Sequence, residues 1–178
     1  MHSNECTSTI DRSDAWWPAT SMVPLLRPEH LFRAISGHVT SRMSLVTWAR
    51  ELGDLHAELI PFHRVGTPRR NGFDGEQIRA EVDRVVAAVD DWAIRNVPCP
   101  NGARMHTHSL GEVMSHMAEV YAEAWWTVLH TKDVETRHRV WFHLGEVREG
   151  YAELVDEVCH RRLRFPSTAG LVRRRRVG

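Results

Sequence analysis

Apolar side chains recur every three or four residues in four long segments of this chain, and this period constrains the fold more than any other feature. Such spacing places one apolar stripe along an α-helix, whereas a half-buried strand requires alternation at every second residue. No segment sustains that alternation, so we predict no β-sheet. The sequence therefore predicts an all-α fold, an antiparallel helical bundle of four long helices plus a short N-terminal helix.

Prolines, glycines and cap residues set the predicted ends of these helices. The short helix is expected to begin at Pro28 and to end before Gly37, because proline is favoured in a first helical turn. The long helices are predicted over residues 44–60, from 74 or 75 to the turn at 98–102, over 109–131 and from 134 to about 163. Pro61 is expected to end the first long helix, since proline interrupts the helical hydrogen-bond pattern.

The predicted organisation is one domain with two tails, which suits a length of 178 residues. Residues 1–24 are polar and irregular, and we expect a flexible N-terminal segment that carries the pair Trp16 and Trp17. Residues 25–166 are predicted to form the helical bundle domain. Residues 167–178, with four consecutive arginines at 173–176, are predicted to form a basic disordered tail.

The composition excludes several classes of protein. Lys132 is the only lysine and follows no glycine-rich loop, which excludes P-loop nucleotide hydrolases and enzymes that form a Schiff base. No GxGxxG fingerprint of dinucleotide binding occurs, and the three cysteines form no CxxC pair. No apolar run reaches the roughly 20 residues that a membrane span needs, and the N-terminus lacks the features of a secretory signal. We therefore expect a cytoplasmic protein with no membrane partner and no cofactor.

The third long helix and the loop before it carry most of the candidate chemistry. Ser109 and Glu112 match the S-x-x-E capping box that begins a helix, with Thr107 as a competing cap. Glu112, His116, Glu119 and Glu123 then follow the helical period on a face separate from the apolar stripe. One interpretation is a solvated polar face. The other is that His106 and His108, just before the helix, join His116 and a carboxylate around a cleft.

Tryptophan is the second feature that points to a ligand site. Trp48, Trp92, Trp125 and Trp141 lie on apolar stripes, and we predict that they are core residues. Aromatic side chains at helix interfaces also form the walls of ligand pockets in bundles. The predicted ligand-binding wall consists of Tyr121, Trp125, Trp126 and Trp141. Tyr151 on the last helix is instead expected to be packed, with its hydroxyl hydrogen-bonded.

Metal binding is an alternative use of the same histidines. His106, His108 and His116 could ligate zinc or iron together with Glu112 or Glu119. Two E-x-x-H motifs, ending at His138 and His160, match half of a di-iron site. They lie 22 residues apart on one helix, and a rise of about 1.5 Å per residue separates them too far to share a metal. We therefore predict no metal.

Three segments match a known sequence pattern. Residues 105–111 (MHTHSLG) are similar to a helix start L-H-T-E-S-L-G, residues 144–155 continue the similarity, and residues 160–166 run through arginines into proline. In these segments the chain resembles a bacterial helical family catalogued as domain of unknown function 4254. The resemblance covers about residues 27–166 and implies a helical fold with no assigned activity. Members carry Glu in place of His108 and an Asp–Arg pair in place of Ser115 and His116, which implies a specialised member.

These observations predict a protein that binds a small organic molecule of aromatic character. If it is an enzyme, we expect a cofactor-independent acid–base reaction of specialised metabolism, of the isomerase, cyclase or lyase type. His106, His108 or His116 would move the proton, and Glu112 or Glu119 would orient the imidazole. The alternative is a non-catalytic interaction or regulatory module, including a homodimer, and the third option is a His/Glu metalloprotein. The net charge of zero argues against nucleic acid as a partner.

Overall fold

A computed structural model of the chain describes residues 25–65 and 75–166. In this part of the chain, five helices and two short strands follow one another. The helices are α1 (Pro28–Ile35), α2 (Ser44–Val65), α3 (Gly75–Asn96), α4 (Leu110–His130) and α5 (Val134–Cys159), and the strands are β1 (Arg104–Met105) and β2 (Leu163–Arg164). The all-α fold class is confirmed. The predictions for the two tails, including Trp16, Trp17 and the arginines at 173–176, lie outside the described residues.

Helix α4 occupies the centre of the fold and contacts α1, α2, α3 and α5. The first part of its apolar stripe is fully buried, with Leu110, Met114, Met117 and Ala118 at most 1% exposed. Helix α2 in turn packs against α1 and α3. The N-terminal part contributes Leu25, Leu26 and Leu31 to the same core. Because α4 touches every other helix, side chains on its flanks lie at the junctions between helices. None of the described helices is long and apolar enough to cross a membrane.

Local capping determines where α4 and α5 begin. Ser109 and Glu112 form the predicted capping box, in which the Glu112 N–H donates to Ser109 Oγ at 3.1 Å and the Ser109 N–H donates to Glu112 Oε2 at 2.7 Å. Asp133 caps α5 by accepting the Thr136 N–H at 2.9 Å. These side chains satisfy backbone N–H groups that have no partner within the helix. The predicted start of α4 is therefore confirmed.

Two predicted helix ends are wrong. The backbone of α2 stays helical through Pro61 and ends at Val65, because a proline removes one hydrogen bond at about 3 kcal/mol without requiring a long, packed helix to end. Helix α5 ends at Cys159, earlier than the predicted 163. Arg161 adopts a positive φ of 60° there, and this left-handed residue turns the chain out of the helix.

The prediction of no sheet is also wrong, although on a small scale. The strands β1 and β2 pair in parallel, with Arg104 opposite Leu163 and Met105 opposite Arg164. The Arg104 N–H donates to Arg162 O at 3.1 Å, which extends the pairing by one residue. Strands of two residues are too short to show alternation in the sequence. Their pairing connects the loop before α4 with the segment after α5.

The tryptophans divide into two groups. Trp48 and Trp92 pack against the main core, as predicted. Trp125 and Trp141 are 50% and 47% exposed, so the prediction that they are core residues is wrong. They lie near the end of α4 and the beginning of α5, where the buried apolar cluster consists of Val120, Ala124 and Leu144. An apolar stripe of a helix is buried only where a neighbouring element packs on it. At the end of α4 and the beginning of α5, the apolar stripes continue beyond the elements that pack on them.

Candidate functional site

A groove of about 520 Å³ lies between α4, α5 and the loop that precedes α4. Its polar lining consists of His106, His108, Glu112 and His116. Its remaining lining consists of Val113, Met117, Val147, Gly150, Tyr151 and Leu154. The structure thus brings four of the five candidate catalytic residues to one groove, opposite a wall of mostly aliphatic side chains from α5.

The short β-pairing positions His106 at the groove. The backbone N–H of His106 donates to Arg164 O at 2.9 Å, and its ring meets the Phe165 ring edge-on with centroids 6.1 Å apart. Its Nδ1 lies 2.8 Å from His108 O and 3.2 Å from His108 N. One nitrogen cannot serve both contacts in the same protonation state, and the shorter contact to the carbonyl favours a proton on Nδ1. In the neutral ring, Nε2 is then the nitrogen that can accept a proton.

His108 lies beside His106 and is more exposed. The ring centroids of the two histidines are 5.9 Å apart, with the planes inclined by 55°. The Nδ1 of His108 lies 3.0 Å from the hydroxyl of Thr107. Thr107 therefore contacts His108, while Ser109 is the residue that caps α4. The loop places two imidazoles at the same end of the groove.

Glu112 lines the groove, but its carboxylate contacts the backbone. Oε2 accepts the Ser109 N–H at 2.7 Å, within the capping box. This contact keeps the carboxylate at the beginning of α4. The geometry thus assigns Glu112 a structural contact and supplies no carboxylate–imidazole contact for the orienting role that we predicted for it.

His116 lies one turn further along α4 and pairs with Glu119. The distance from His116 Nδ1 to Glu119 Oε2 is 3.7 Å, and both side chains are at least half exposed. Glu119 also lines a second cavity, of about 260 Å³, between α2, α3 and α4. With Glu119 beside Nδ1, the other ring nitrogen of His116, Nε2, is the one that can contact a ligand. Glu119 is thus the carboxylate that contacts a candidate histidine.

The second cavity contains a histidine that no sequence motif indicates. His56 on α2 is 9% exposed, and its Nε2 lies 2.9 Å from Ser115 Oγ on α4. Arg79, Asp83 and Glu123 are among the other residues around this cavity. No local motif marks His56, because its polar partner comes from a helix far away in the sequence. Its position on the buried face of α2 was the signal that could have identified it.

Tyr151 forms part of the α5 wall and is fully packed. Its hydroxyl donates a hydrogen bond to Leu26 O at 2.9 Å, which confirms the prediction of a packed tyrosine with a hydrogen-bonded hydroxyl. Burial raises the pKa of the Tyr151 phenol far above its usual value. The phenol therefore stays neutral and holds α5 against the segment that leads into α1.

The four residues of the predicted aromatic wall do not line this groove. Tyr121 packs against Phe32 with ring centroids 6.1 Å apart, and Trp126 stacks on His130 at 3.5 Å. Trp125 and Trp141 are exposed. These aromatic residues of α4 follow His116 by more than one turn, beyond the stretch that borders the groove. Helical spacing showed that they share faces of α4 and α5, but it could not show how far along those helices a groove extends.

Among the described side chains, those of residues 25–60 and 75–166, no group of three or more His, Cys, Asp and Glu is arranged to hold a metal ion. One of the ligands considered from the sequence, Glu112, has another contact, since its carboxylate accepts a backbone N–H. The metalloprotein alternative therefore has no ligand set in this part of the chain to support it.

Comparisons of the chain with protein-family models, with curated proteins and with solved structures find no match.

Proposed function

We propose that this protein binds a small organic molecule in the groove between α4 and α5 and moves a proton on it without a cofactor. The observation that supports this proposal is that His106, His108 and His116 line one groove together with an aliphatic wall. Apolar lining provides binding by removing ligand surface from water. Imidazole is the side chain that ordinarily exchanges protons near neutral pH. The reaction class would be an isomerisation, a cyclisation or an elimination.

The contacts of the histidines suggest different roles. We assign proton transfer to His116, whose Nδ1 faces Glu119 at 3.7 Å, and we assign the orienting role to Glu119. His106 is the second proton carrier, because its Nδ1 contacts the carbonyl of His108 at 2.8 Å and its Nε2 is the candidate acceptor. Two imidazoles at one groove can remove a proton from one atom and return it to another. Glu112 holds the helix start.

Groove binding can be tested with two matched glycine variants. Gly150 and Gly145 both lie on α5, and a Cβ added at either position meets open space. Of the two, Gly150 lines the groove. A ligand-detected NMR screen of small aromatic and aliphatic compounds should give hits that Gly150→Trp abolishes and Gly145→Trp retains. A screen whose hits all survive Gly150→Trp would contradict binding in this groove.

Proton transfer can be tested on those hits in D₂O. We expect the wild-type protein to catalyse incorporation of deuterium at an acidic C–H position of a groove ligand, which NMR detects without knowledge of the product. His116→Gln should slow this exchange by about 10²–10⁴-fold, the usual contribution of general acid–base catalysis. His138→Gln on the exposed face of α5 is the control and should leave the rate unchanged. Ligands that bind without any exchange would indicate a binding protein.

We also propose a helix arrangement, a family and a cellular location for this protein. The four long helices form an antiparallel bundle. The connection between α4 and α5 supports this, since α4 ends at His130 and α5 begins at Val134, and so short a connection favours a reversal of direction. We propose that the chain is a specialised member of the family catalogued as domain of unknown function 4254, and that it acts in the cytoplasm in specialised metabolism.

A protein–protein interaction is the second candidate function, and an exposed apolar surface supports it. Five large apolar side chains in this region are between 47% and 77% exposed. They are Trp125 and Leu129 on α4 and Val134, Trp141 and Phe142 on α5. Large exposed apolar side chains often mark contact sites between proteins.

If this surface forms a homodimer, sedimentation should show a concentration-dependent dimer that Trp125→Ser/Trp141→Ser dissociates. Ile94→Ser, at another exposed apolar residue, is the control, and a monomer at all concentrations would exclude the homodimer.

A further inference from the structure

We propose that the groove between α4 and α5 selects an organic anion, a molecule with an acidic head group and an apolar body. This inference rests on the proposed function and adds the chemical class of the ligand. The lining of the groove has a histidine side and a mostly apolar side. His106, His108 and His116 lie on α4 and the loop before it, whereas α5 contributes Val147, Gly150, Tyr151 and Leu154.

The imidazoles are the groove's available hydrogen-bond donors. A neutral imidazole has one N–H and a protonated imidazole has two. Because Nδ1 of His106 contacts His108 O at 2.8 Å and Nδ1 of His116 faces Glu119 at 3.7 Å, Nε2 of either ring donates to a ligand when that ring is protonated. The carboxylate in the lining, Glu112, already accepts the Ser109 N–H at 2.7 Å. Tyr151 donates its hydroxyl proton to Leu26 O and remains neutral. An acidic head group that enters the groove thus accepts N–H bonds from protonated imidazoles on the histidine side, and charge-assisted hydrogen bonds of this kind are the stronger ones.

Three further carboxylates on α4 and α5 are not part of the groove's lining. On α4, Glu119 lies 3.7 Å from His116 Nδ1, and on α5, Glu146 lies 3.6 Å from His143 Nδ1. Glu153 is exposed on α5, three residues beyond Gly150. On the β2 side, Arg164 donates to Ala103 O at 3.3 Å. Because none of these groups lines the groove, a ligand inside it contacts the imidazoles rather than these charges.

The apolar side determines the size of the ligand body. A groove of about 520 Å³ falls within the usual range for organic ligands, roughly 300–1,000 Å³. Val147 and Leu154 offer flat aliphatic contact, and the flexible side chain of Met117 adapts to different shapes. The ligand class that fits both sides is an arylalkyl or medium-chain carboxylate, sulfonate or phosphate ester.

Three probes that differ only in their head group test the charge. We would measure the binding of 4-phenylbutyrate, 4-phenylbutanol and 4-phenylbutylamine by calorimetry at about pH 6 and about pH 8.5, on the two sides of the range in which imidazole usually titrates. The carboxylate should bind at least about tenfold more tightly at the lower pH, because protonated imidazoles strengthen its hydrogen bonds. The alcohol should show no pH dependence. An alcohol that binds as tightly as the carboxylate at pH 6, or an amine that binds more tightly, would overturn the inference.

Two double variants assign the effect to the groove. His108→Gln/His116→Gln keeps side chains that form hydrogen bonds but replaces two imidazoles, which can gain a proton, by amides, which cannot. This variant should therefore lose the pH dependence of binding and the preference for the carboxylate. His138→Gln/His143→Gln replaces two exposed histidines of α5 that do not line the groove, and this variant should retain both the pH dependence and the preference. His106 stays unchanged in these variants because its half-buried ring packs against Phe165.

The failures of the two proposals can be told apart. If Gly150→Trp blocks all three probes equally and the head group makes no difference, groove binding stands and anion selection fails. If none of the three probes binds but other screen hits depend on Gly150, the anion inference fails alone. If Gly150→Trp blocks none of the compounds that bind, both proposals fail.

Discussion

The carboxylate of Asp90 on α3 accepts the backbone N–H of Gly111 in the first turn of α4, at 2.7 Å. Both residues are buried, with Asp90 5% exposed. The contact is close because Gly111 has no side chain, and a Cβ there would overlap Val86 O and lie 2.9 Å from Asp90 Oδ1. The first N–H groups of a helix have no partner within it. A neighbouring helix thus satisfies one of them and fixes the point at which the histidine loop enters α4.

Replacement of Gly111 by alanine should destabilise the protein. The methyl group has to displace the backbone of α3, and such overpacking usually costs about 1–3 kcal/mol. The control is Gly145→Ala on α5, where a Cβ meets open space. That change should stabilise the fold by about 0.5–1 kcal/mol through helix propensity. Urea denaturation measures both, and a stabilising Gly111→Ala would contradict the close packing of α3 and α4.

Removal of the Asp90 carboxylate should leave the Gly111 N–H buried without this acceptor. Asp90→Ala is expected to lower the free energy of unfolding by about 1–3 kcal/mol. Asp90→Asn retains an oxygen in the same place and should lose less. Thermal denaturation of the two variants at one pH distinguishes them. Equal losses would show that the negative charge near the helix start matters more than the acceptor oxygen.

Substitutions at Glu112 and His116 should have different effects, the first on the stability of the fold and the second on proton exchange. Glu112→Ala removes the bond to the Ser109 N–H and should cost about 0.5–1.5 kcal/mol, while proton exchange on a groove ligand continues. His116→Ala changes an exposed side chain and should alter stability by no more than about 0.5 kcal/mol, while the exchange is lost. Chemical denaturation and deuterium incorporation report the two effects. Loss of exchange in Glu112→Gln, with stability unchanged, would instead place Glu112 in the chemistry.

Tyr151 should resist ionisation until the protein unfolds. Burial raises the pKa of its phenol in the folded state, so the folded form keeps the proton at a pH where the unfolded chain has lost it. The resulting stability is complete below the usual tyrosine pKa of about 10 and declines as the pH rises above it. The chain has two tyrosines, so in Tyr121→Phe any phenolate absorbance comes from Tyr151. That absorbance should rise together with the loss of helical circular dichroism.

Phenolate formation in a still-helical Tyr121→Phe protein would show that the Tyr151 hydroxyl is accessible to solvent. Tyr151→Phe provides the matching control, because it deletes the bond to Leu26 O. It should cost about 1 kcal/mol and remove the alkaline decline that Tyr151 causes.

The helix starts and the histidine side of the groove could be predicted from the sequence because they depend on local spacing. The capping box at Ser109 fixes the phase of α4, and that phase places Glu112 and His116 on one face. His106 and His108 then lie near that face because only a short segment separates them from the helix. Local chemistry thus identified one side of the groove.

The other side of the groove depends on contacts between distant segments, and the sequence did not predict it. Nothing near Gly150 or Leu154 indicates that α5 would face His116, because this depends on how the helices pack. Trp125 and Trp141 follow the apolar period as core residues do, yet no described element covers them enough to bury them. Periodicity identifies the face of a helix that prefers burial, whereas the partner and the extent of cover are properties of the whole fold.

The pairing of β1 with β2 has a consequence for the order in which the protein assembles. It joins the residues just before α4 to those just after α5, so it closes a loop that contains both helices. Contacts between segments so far apart tend to form after the local ones, because the chain must first lose the entropy of the intervening loop. The same pairing holds His106, whose backbone N–H donates to Arg164 O. The helical core can therefore form before the histidine loop reaches its place, and release of the segment after α5 would dismantle the site while the core stays folded.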